Sequence, residues 1–157
     1  MMTTFRSRKR SPRERALADF QKLRRYQEAS QNGYVRCVSC QKLMTVKEAQ
    51  GGHLVSRRVR ATELERDNVW PQCPRCNGPL SGNVIAYRSN LVKMIGEDRV
   101  KRIEDMANAS EGDEEVMRRL DDRDQRSGVS RKNDDDYKRL AALYRAATRL
   151  IQKEKVS

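Results

Sequence analysis

Two Cys-x-x-Cys pairs, Cys37/Cys40 and Cys73/Cys76, enclose the single histidine of the chain, His53, and Asn77 directly follows the last cysteine. Thiolates presented two at a time from tight knuckles are the ligand set of a closed, tetrahedral zinc site. Two knuckles supply four sulfurs, a complete set. In a reducing compartment such pairs hold metal rather than close as disulfides. The 32 residues between the knuckles exceed the roughly 15–20 of a simple zinc ribbon. An independent element must be inserted there, and a hairpin carrying His53 fits the gap.

A lone histidine serves structure as readily as chemistry. As a general base it would take a proton from water, which needs a neutral imidazole near pH 7, and the ordinary histidine pKa permits this. Gly51 and Gly52 allow close backbone approach beside it, Asn68 lies fifteen residues on, and Asn77 nine beyond that. Asn68 reads either as a brace of the hairpin or as an ordinary turn residue. Arg57, Arg58 and Arg60 follow the histidine closely and are candidates to grip a phosphate, with Arg75 and Arg88 behind them. A solvated basic loop would carry the same residues.

These groups need elements to position them. A chain of 157 residues makes one modest domain with extensions. With 36% apolar and 36% charged residues, its core is small, and a metal would support it. The net charge of +12 points to a polyanionic partner, with nucleic acid the first candidate. Residues 1–33 carry nine Lys/Arg against three Asp/Glu, residues 34–96 ten against four, and residues 97–157 fifteen of each. A phosphate backbone is therefore expected across the first two segments. No apolar run approaches the ~20 residues of a membrane span, and the basic start leads into charged sequence rather than a signal peptide. A cytoplasmic protein is expected.

Behind the basic tail Arg6-Ser7-Arg8-Lys9-Arg10, the residues Ser11, Pro12 and Glu14 combine an N-cap, a first-turn proline and a capping-box glutamate. Leu17, Phe20 and Leu23 continue at helical spacing, with Arg24 and Arg25 beside them, as far as Asn32-Gly33. In the middle region, His53–Ser56 and Asn68–Trp70 read as strands, and a helix runs from Val84 to Ile95, ending at Gly96. Val100, Ile103 and Met106 mark a further helix, and Val116, Met117 and Leu120 another, with Ser110 and Asp113 as cap residues; a polar linker spans 121–133. The last helix opens on Asp134-Asp135-Asp136 and carries Tyr137, Leu140, Tyr144, Ala147 and Ile151 as an apolar stripe, widened by Leu143 and Leu150. Either the N-terminal helix or a second subunit must cover that stripe.

The order His53, Asn68, Asn77 between zinc knuckles resembles the HNH, or ββα-metal, nuclease motif. More closely, Cys37-Val-Ser-Cys40, Gly52-His53, Asp67-Asn68-Val-Trp-Pro-Gln-Cys73-Pro-Arg-Cys76-Asn77, Ser81-Gly82-Asn83, Tyr87-Arg88 and Ile95-Gly96-Glu97 resemble the NinG (Rap) family of lambdoid phage recombination nucleases. The resemblance covers residues 34 to about 106. It implies a zinc-bound ββα-metal core at 34–96; with the basic arm and amphipathic helix at 1–33 and the helical region at 97–157, read from the sequence pattern and including a candidate dimerisation helix at 134–155, the expected fold is α+β, mainly α. The resemblance also implies Mg²⁺- or Mn²⁺-dependent cleavage of branched DNA such as Holliday junctions and D-loops. His53 would be the base, Asn77 a ligand of the catalytic ion and Asn68 the brace of the hairpin. Many HNH nucleases place an Asp before the base as a second metal ligand, where this chain has Gly52; Asn83 and Asp67 are the nearest substitutes. The residues leave open a zinc-stabilised DNA-binding adaptor without catalysis, and an HNH nuclease acting on ordinary duplex DNA.

Overall fold

The computed structural model describes residues 8–110 and 132–155. Arg6 and Ser7, the helix expected at Val116, Met117 and Leu120, the cap at Asp113 and most of the linker lie outside the described residues. Ser110, read as a cap, closes a helix instead.

Helix α1, Pro12–Gln27, starts where its cap residues place it. The Ser11 hydroxyl accepts the Glu14 N–H at 3.2 Å, and the Glu14 carboxylate accepts the Ser11 N–H at 2.7 Å. Leu17, Phe20 and Leu23 form its buried face. Arg24 is buried with them: it lies 4.9 Å from the Trp70 ring, donates through Nε to the carbonyls of Arg66 and Val69, and pairs with Glu28 at 2.8 Å. A guanidinium enters a core at low cost only when carbonyls and a carboxylate such as these face it. α1 ends at Gln27, five residues short of the expected Asn32-Gly33.

Two small antiparallel sheets follow. In the first, β1 (Tyr34–Arg36) pairs with β2 (Leu43–Thr45), and the first cysteine knuckle forms the turn between them. In the second, β3 (Gln50–His53) pairs with β4 (Val69–Gln72), placing His53 opposite Val69 and Gly52 opposite Trp70. β4 runs directly into the second knuckle and the single-turn helix α2, Pro74–Asn77.

A hairpin carrying His53 thus occupies the gap between knuckles, with two corrections. His53 ends its strand instead of starting it, because Gly51 and Gly52 lie within the strand. A Cβ at Gly51 would stand 2.6 Å from Gln21 Cβ of α1, and one at Gly52 would stand 2.2 Å from Gln72 Oε1. Asn68 belongs to a 3-10 turn, Arg66–Asn68, rather than to β4.

α3 (Val84–Ile95) and α4 (Glu97–Ser110) meet at Gly96, whose φ of +90° suits glycine. Tyr87 and Leu91 of α3 and Val100 of α4 pack with Val38, Leu54 and Trp70 beneath the second hairpin. Ile103 and Met106 are fully buried, as their spacing predicts.

The last helix, α5 (Asp134–Glu154), is capped by Asn133. Of the two covers that the sequence leaves open for its stripe, α1 is the one in the structure. Tyr137 and Ala141 pack on Ala16, Tyr144 lies 5.0 Å from Phe20, and Lys155 donates to the carbonyls of Tyr26 and Ala29. Residue numbers rise together on both helices, so α1 and α5 run parallel. Leu143 and Leu150, read as part of the stripe, are 61% and 62% exposed. Among the described residues no helix is long and apolar enough to cross a membrane.

Both helices reach into the loop between β3 and β4. The fully buried Glu63 carboxylate receives Arg13 of α1, with Nε at 2.8 Å, and the Tyr137 hydroxyl of α5 at 2.5 Å. Arg13→Ala would leave that carboxylate with Tyr137 alone. The loss is expected to cost about 3 kcal/mol, the low end for a broken buried pair because Arg13 keeps some solvent. Urea unfolding checks it: the midpoint should fall with an unchanged slope.

Candidate active site and metal centre

Cys37, Cys40, Cys73 and Cys76 converge, their sulfurs all within 4.8 Å of one another and Cys40 Sγ 3.7 Å from Cys73 Sγ. A tetrahedron with Zn–S bonds of about 2.3 Å has edges of about 3.8 Å, so this tetrad could hold a metal ion such as zinc. Each knuckle turns a backbone N–H onto its own first sulfur, Cys40 onto Cys37 at 3.5 Å and Cys76 onto Cys73 at 3.4 Å. Asn83 donates to Cys76 Sγ at 3.5 Å. Burial pushes the Cys76 thiol up to about 12. Without a cation, four thiolates would not coexist here.

Next to the tetrad lies a cleft of about 350 Å³ whose wall includes His53, Asn77, Arg57, Ser56 and Gln21. His53 Nε2 is 3.0 Å from the carbonyl oxygen of Glu63. A carbonyl only accepts, so Nε2 carries the proton and Nδ1 keeps the lone pair. Burial holds the imidazole below its ordinary pKa, and the Arg57 guanidinium adds to this against the pull of the Glu63 carbonyl. The ring is therefore neutral near pH 7, with one basic nitrogen. Asn77, at the end of α2, donates through Nδ2 to Gln50 Oε1 at 2.7 Å, which leaves its amide oxygen without a donor among the described residues.

The structure thus brings His53, Asn77 and Arg57 together, and it places the other expected site residues elsewhere. Asn68 is fully buried and does not line the cleft. Its Oδ1 accepts the Val55 N–H at 2.7 Å, and its Nδ2 donates to the carbonyls of Val55 and Thr62 at 3.0 and 2.9 Å. It closes the loop after His53. Arg58 and Arg60 are exposed on that loop without lining the cleft, and Arg60 lies within electrostatic reach of Tyr137. Arg75 is exposed on α2. Arg88 does not line the cleft and is paired with Glu97 at 2.6 Å and Glu104 at 2.7 Å.

Asp67 and Asn83, the residues considered beside Gly52, do not line the cleft. Asp67 is taken by Arg99, whose Nε is 2.9 Å from Oδ2, and Asn83 belongs to the cysteine tetrad. Position 52 itself has no room for a carboxylate, since Gln72 fills the space a side chain would need. Gln72 is fixed there by Nε2 bonds to Ser39 Oγ, at 2.7 Å, and to the Gly82 carbonyl.

Three contributors are missed by sequence reasoning. Glu63 fixes the histidine tautomer through its carbonyl, Gln50 fixes the Asn77 amide, and Tyr87 donates to the carbonyls of Gly52 and Asn68 on either side of His53, at 3.1 and 3.2 Å. Only the β3/β4 register, which sets Gln50 opposite Gln72 at the entry to the second knuckle, could have hinted at the second.

Fold and site define a mainly helical α+β protein with small sheets, whose four cysteines could hold a metal such as zinc beside a histidine cleft. The chain belongs to the family described as bacteriophage lambda NinG protein, whose model matches residues 4–154. It is 31% identical over 68 residues to the protein ninG of Escherichia phage 933W, covering 43% of this chain and 34% of that protein. The match to protein ninG of Escherichia phage lambda is also 31% identical over 68 residues, covering 43% and 33%, and that of Salmonella phage P22 is 31% over 68, covering 43% and 34%. The matched region spans about a third of the length of these relatives. No solved structure matches the chain.

Proposed function

We propose that the chain is a metal-dependent DNA endonuclease of the HNH type that cuts branched DNA in phage recombination. The observation that carries this is the tautomer of His53: with Nε2 tied to the Glu63 carbonyl, Nδ1 is a neutral base in a cleft shared with Asn77 and Arg57. His53 Nδ1 takes the proton of the attacking water, and Arg57 holds the phosphate being attacked. Asn77 would hold a hard divalent ion, Mg²⁺ or Mn²⁺, through its amide oxygen, and the ion would supply charge stabilisation to the phosphate and its departing 3′ oxygen. None of the residues lining the cleft is acidic, so substrate oxygens must complete the ion's ligands. Mg²⁺ accepts such an arrangement because it keeps its waters and leans on phosphate.

The excess positive charge of residues 1–96 fits a nucleic-acid backbone, and the absence of a base-reading motif fits recognition by shape. A symmetric junction takes two nicks; a homodimer through α5 that provided two sites would use its exposed Leu143 and Leu150 edge, since α1 covers the rest of the stripe. A phage protein of this kind would work in the cytoplasm of its host.

The test is cleavage of a four-way junction and of a linear duplex of the same sequence, with and without Mg²⁺. Faster, Mg²⁺-dependent cutting of the junction is expected. Equal rates would point to a nuclease of ordinary duplex, and no cutting of either to a DNA-binding adaptor.

A further inference from the structure

The histidine cleft does not end at Arg57. Gln21 and Arg57 also line a second groove of about 370 Å³, which runs along the first turns of α1 and has Arg10 and Arg13 in its wall. The two cavities are therefore neighbours that share one glutamine and one arginine in their walls.

Cations dominate this groove once the charges already used are set aside. Arg13 is spent on Glu63 and on the Arg57 carbonyl. Glu14, the acidic group in the wall, accepts the Ser11 N–H and pairs with Arg8. Arg10 lies within electrostatic reach of Glu14, but neither the Arg10 nor the Arg57 side chain donates a hydrogen bond to another described residue. Two guanidinium groups with open donors thus line one groove, and one of them, Arg57, also lines the cleft. A planar guanidinium with free donors suits a phosphate oxygen pair.

We propose that this groove is a track for the DNA strand next to the phosphate attacked at His53. Arg57 bridges cleft and track, and Arg10 takes a neighbouring backbone phosphate. The inference rests on reading the cleft as a DNA-cutting site, yet its test needs no cutting. The strand would leave the cleft along α1 rather than along the cysteine knuckles, so Arg75 on α2 would not contact it.

The experiment measures affinity of the full chain for a fluorescent four-way junction over a range of salt, without added divalent ion. Arg10→Ala is compared with the parent and with Arg149→Ala, an exposed change on α5. Arg10 precedes α1 and is exposed, so its loss should leave the fold intact, as circular dichroism would verify. Each lost phosphate contact flattens the dependence of log affinity on log salt by about 0.9. Arg10→Ala is expected to flatten it by about that amount and to weaken binding, while Arg149→Ala changes neither. An unchanged slope and affinity for Arg10→Ala would overturn the track even if the parent cuts junctions. A flattened slope in a protein that cuts nothing would support the track and remove the nuclease reading alone.

Discussion

His53→Ala is expected to slow Mg²⁺-dependent DNA cleavage by about 10²–10⁴-fold, the range a positioned general base contributes, while leaving DNA affinity within a factor of a few. The separation follows from geometry. The one ring nitrogen given a partner in the structure donates to the Glu63 carbonyl, so the other is available for water and not for structure. The pH dependence carries a further signature. Burial and Arg57 depress the imidazole pKa, so the ring stays neutral into mildly acidic solution, and the acid limb of the cleavage profile should fall below the ordinary value of about 6.5. The same depression affects stability. The unfolded chain binds the proton more readily than the native one, so this residue's contribution is complete above about 6.5 and is lost as pH falls through the depressed native value. His53→Ala should flatten that part of the stability curve. Cleavage unchanged in His53→Ala, or absent from the parent, would end the assignment.

Removing the metal expected at the cysteine tetrad, or replacing Cys73 by serine, should unfold the middle of the protein. The apolar cluster around the tetrad consists of Val35, Met44, Val46 and Ala49 with three of the cysteines themselves, so without the ion little is left to hold two three-residue strands. Structural zinc sites have apparent binding energies of about 10–16 kcal/mol, comparable with or larger than the 5–15 kcal/mol stability typical of a whole domain. The α1–α5 pair packs on its own contacts and should keep part of its helicity. The expected result is therefore loss of the near-ultraviolet signal of Trp70 with partial retention of helical circular dichroism, and stoichiometric release of one zinc per chain. A chelated protein with the same melting temperature and Trp70 signal would show that the tetrad is only four buried thiols.

Much of this architecture is legible in the sequence where the signal is local. Ser11, Pro12 and Glu14 set the start of α1 because a cap is satisfied within one turn, and the knuckles declare a tetrad because each supplies two sulfurs from four residues. The pairing of His53 with Asn77 follows from the hairpin, since β4 must deliver the second knuckle beside the strand that carries the histidine. The long-range polar partners are not legible. Periodicity shows which apolar residues face inward, but it says nothing of Arg24 entering the core under Trp70 or of Glu63 meeting Arg13. Direction within a loop is equally hidden. Arg57, Arg58 and Arg60 look alike in sequence, and only the closure of the loop by Asn68 turns the first of them to the cleft. Gly52 reads as a missing carboxylate and proves to be a steric requirement, because Gln72, twenty residues on, fills the space.

The meeting of Arg13, Glu63 and Tyr137 also bears on the order in which the protein matures. Glu63 and Tyr137 are 74 positions apart, and contacts of such separation form late, after the entropy of closing the intervening chain has been met. The cysteine knuckles can assemble as soon as Cys76 has emerged from the ribosome. The loop whose carbonyl sets the histidine tautomer, already closed by Asn68 and met by Arg13, receives the Tyr137 hydroxyl only once α5 has been synthesised and has docked along α1. A chain lacking α5 is therefore expected to hold its metal at the cysteine tetrad while Glu63 keeps Arg13 and loses the Tyr137 hydroxyl.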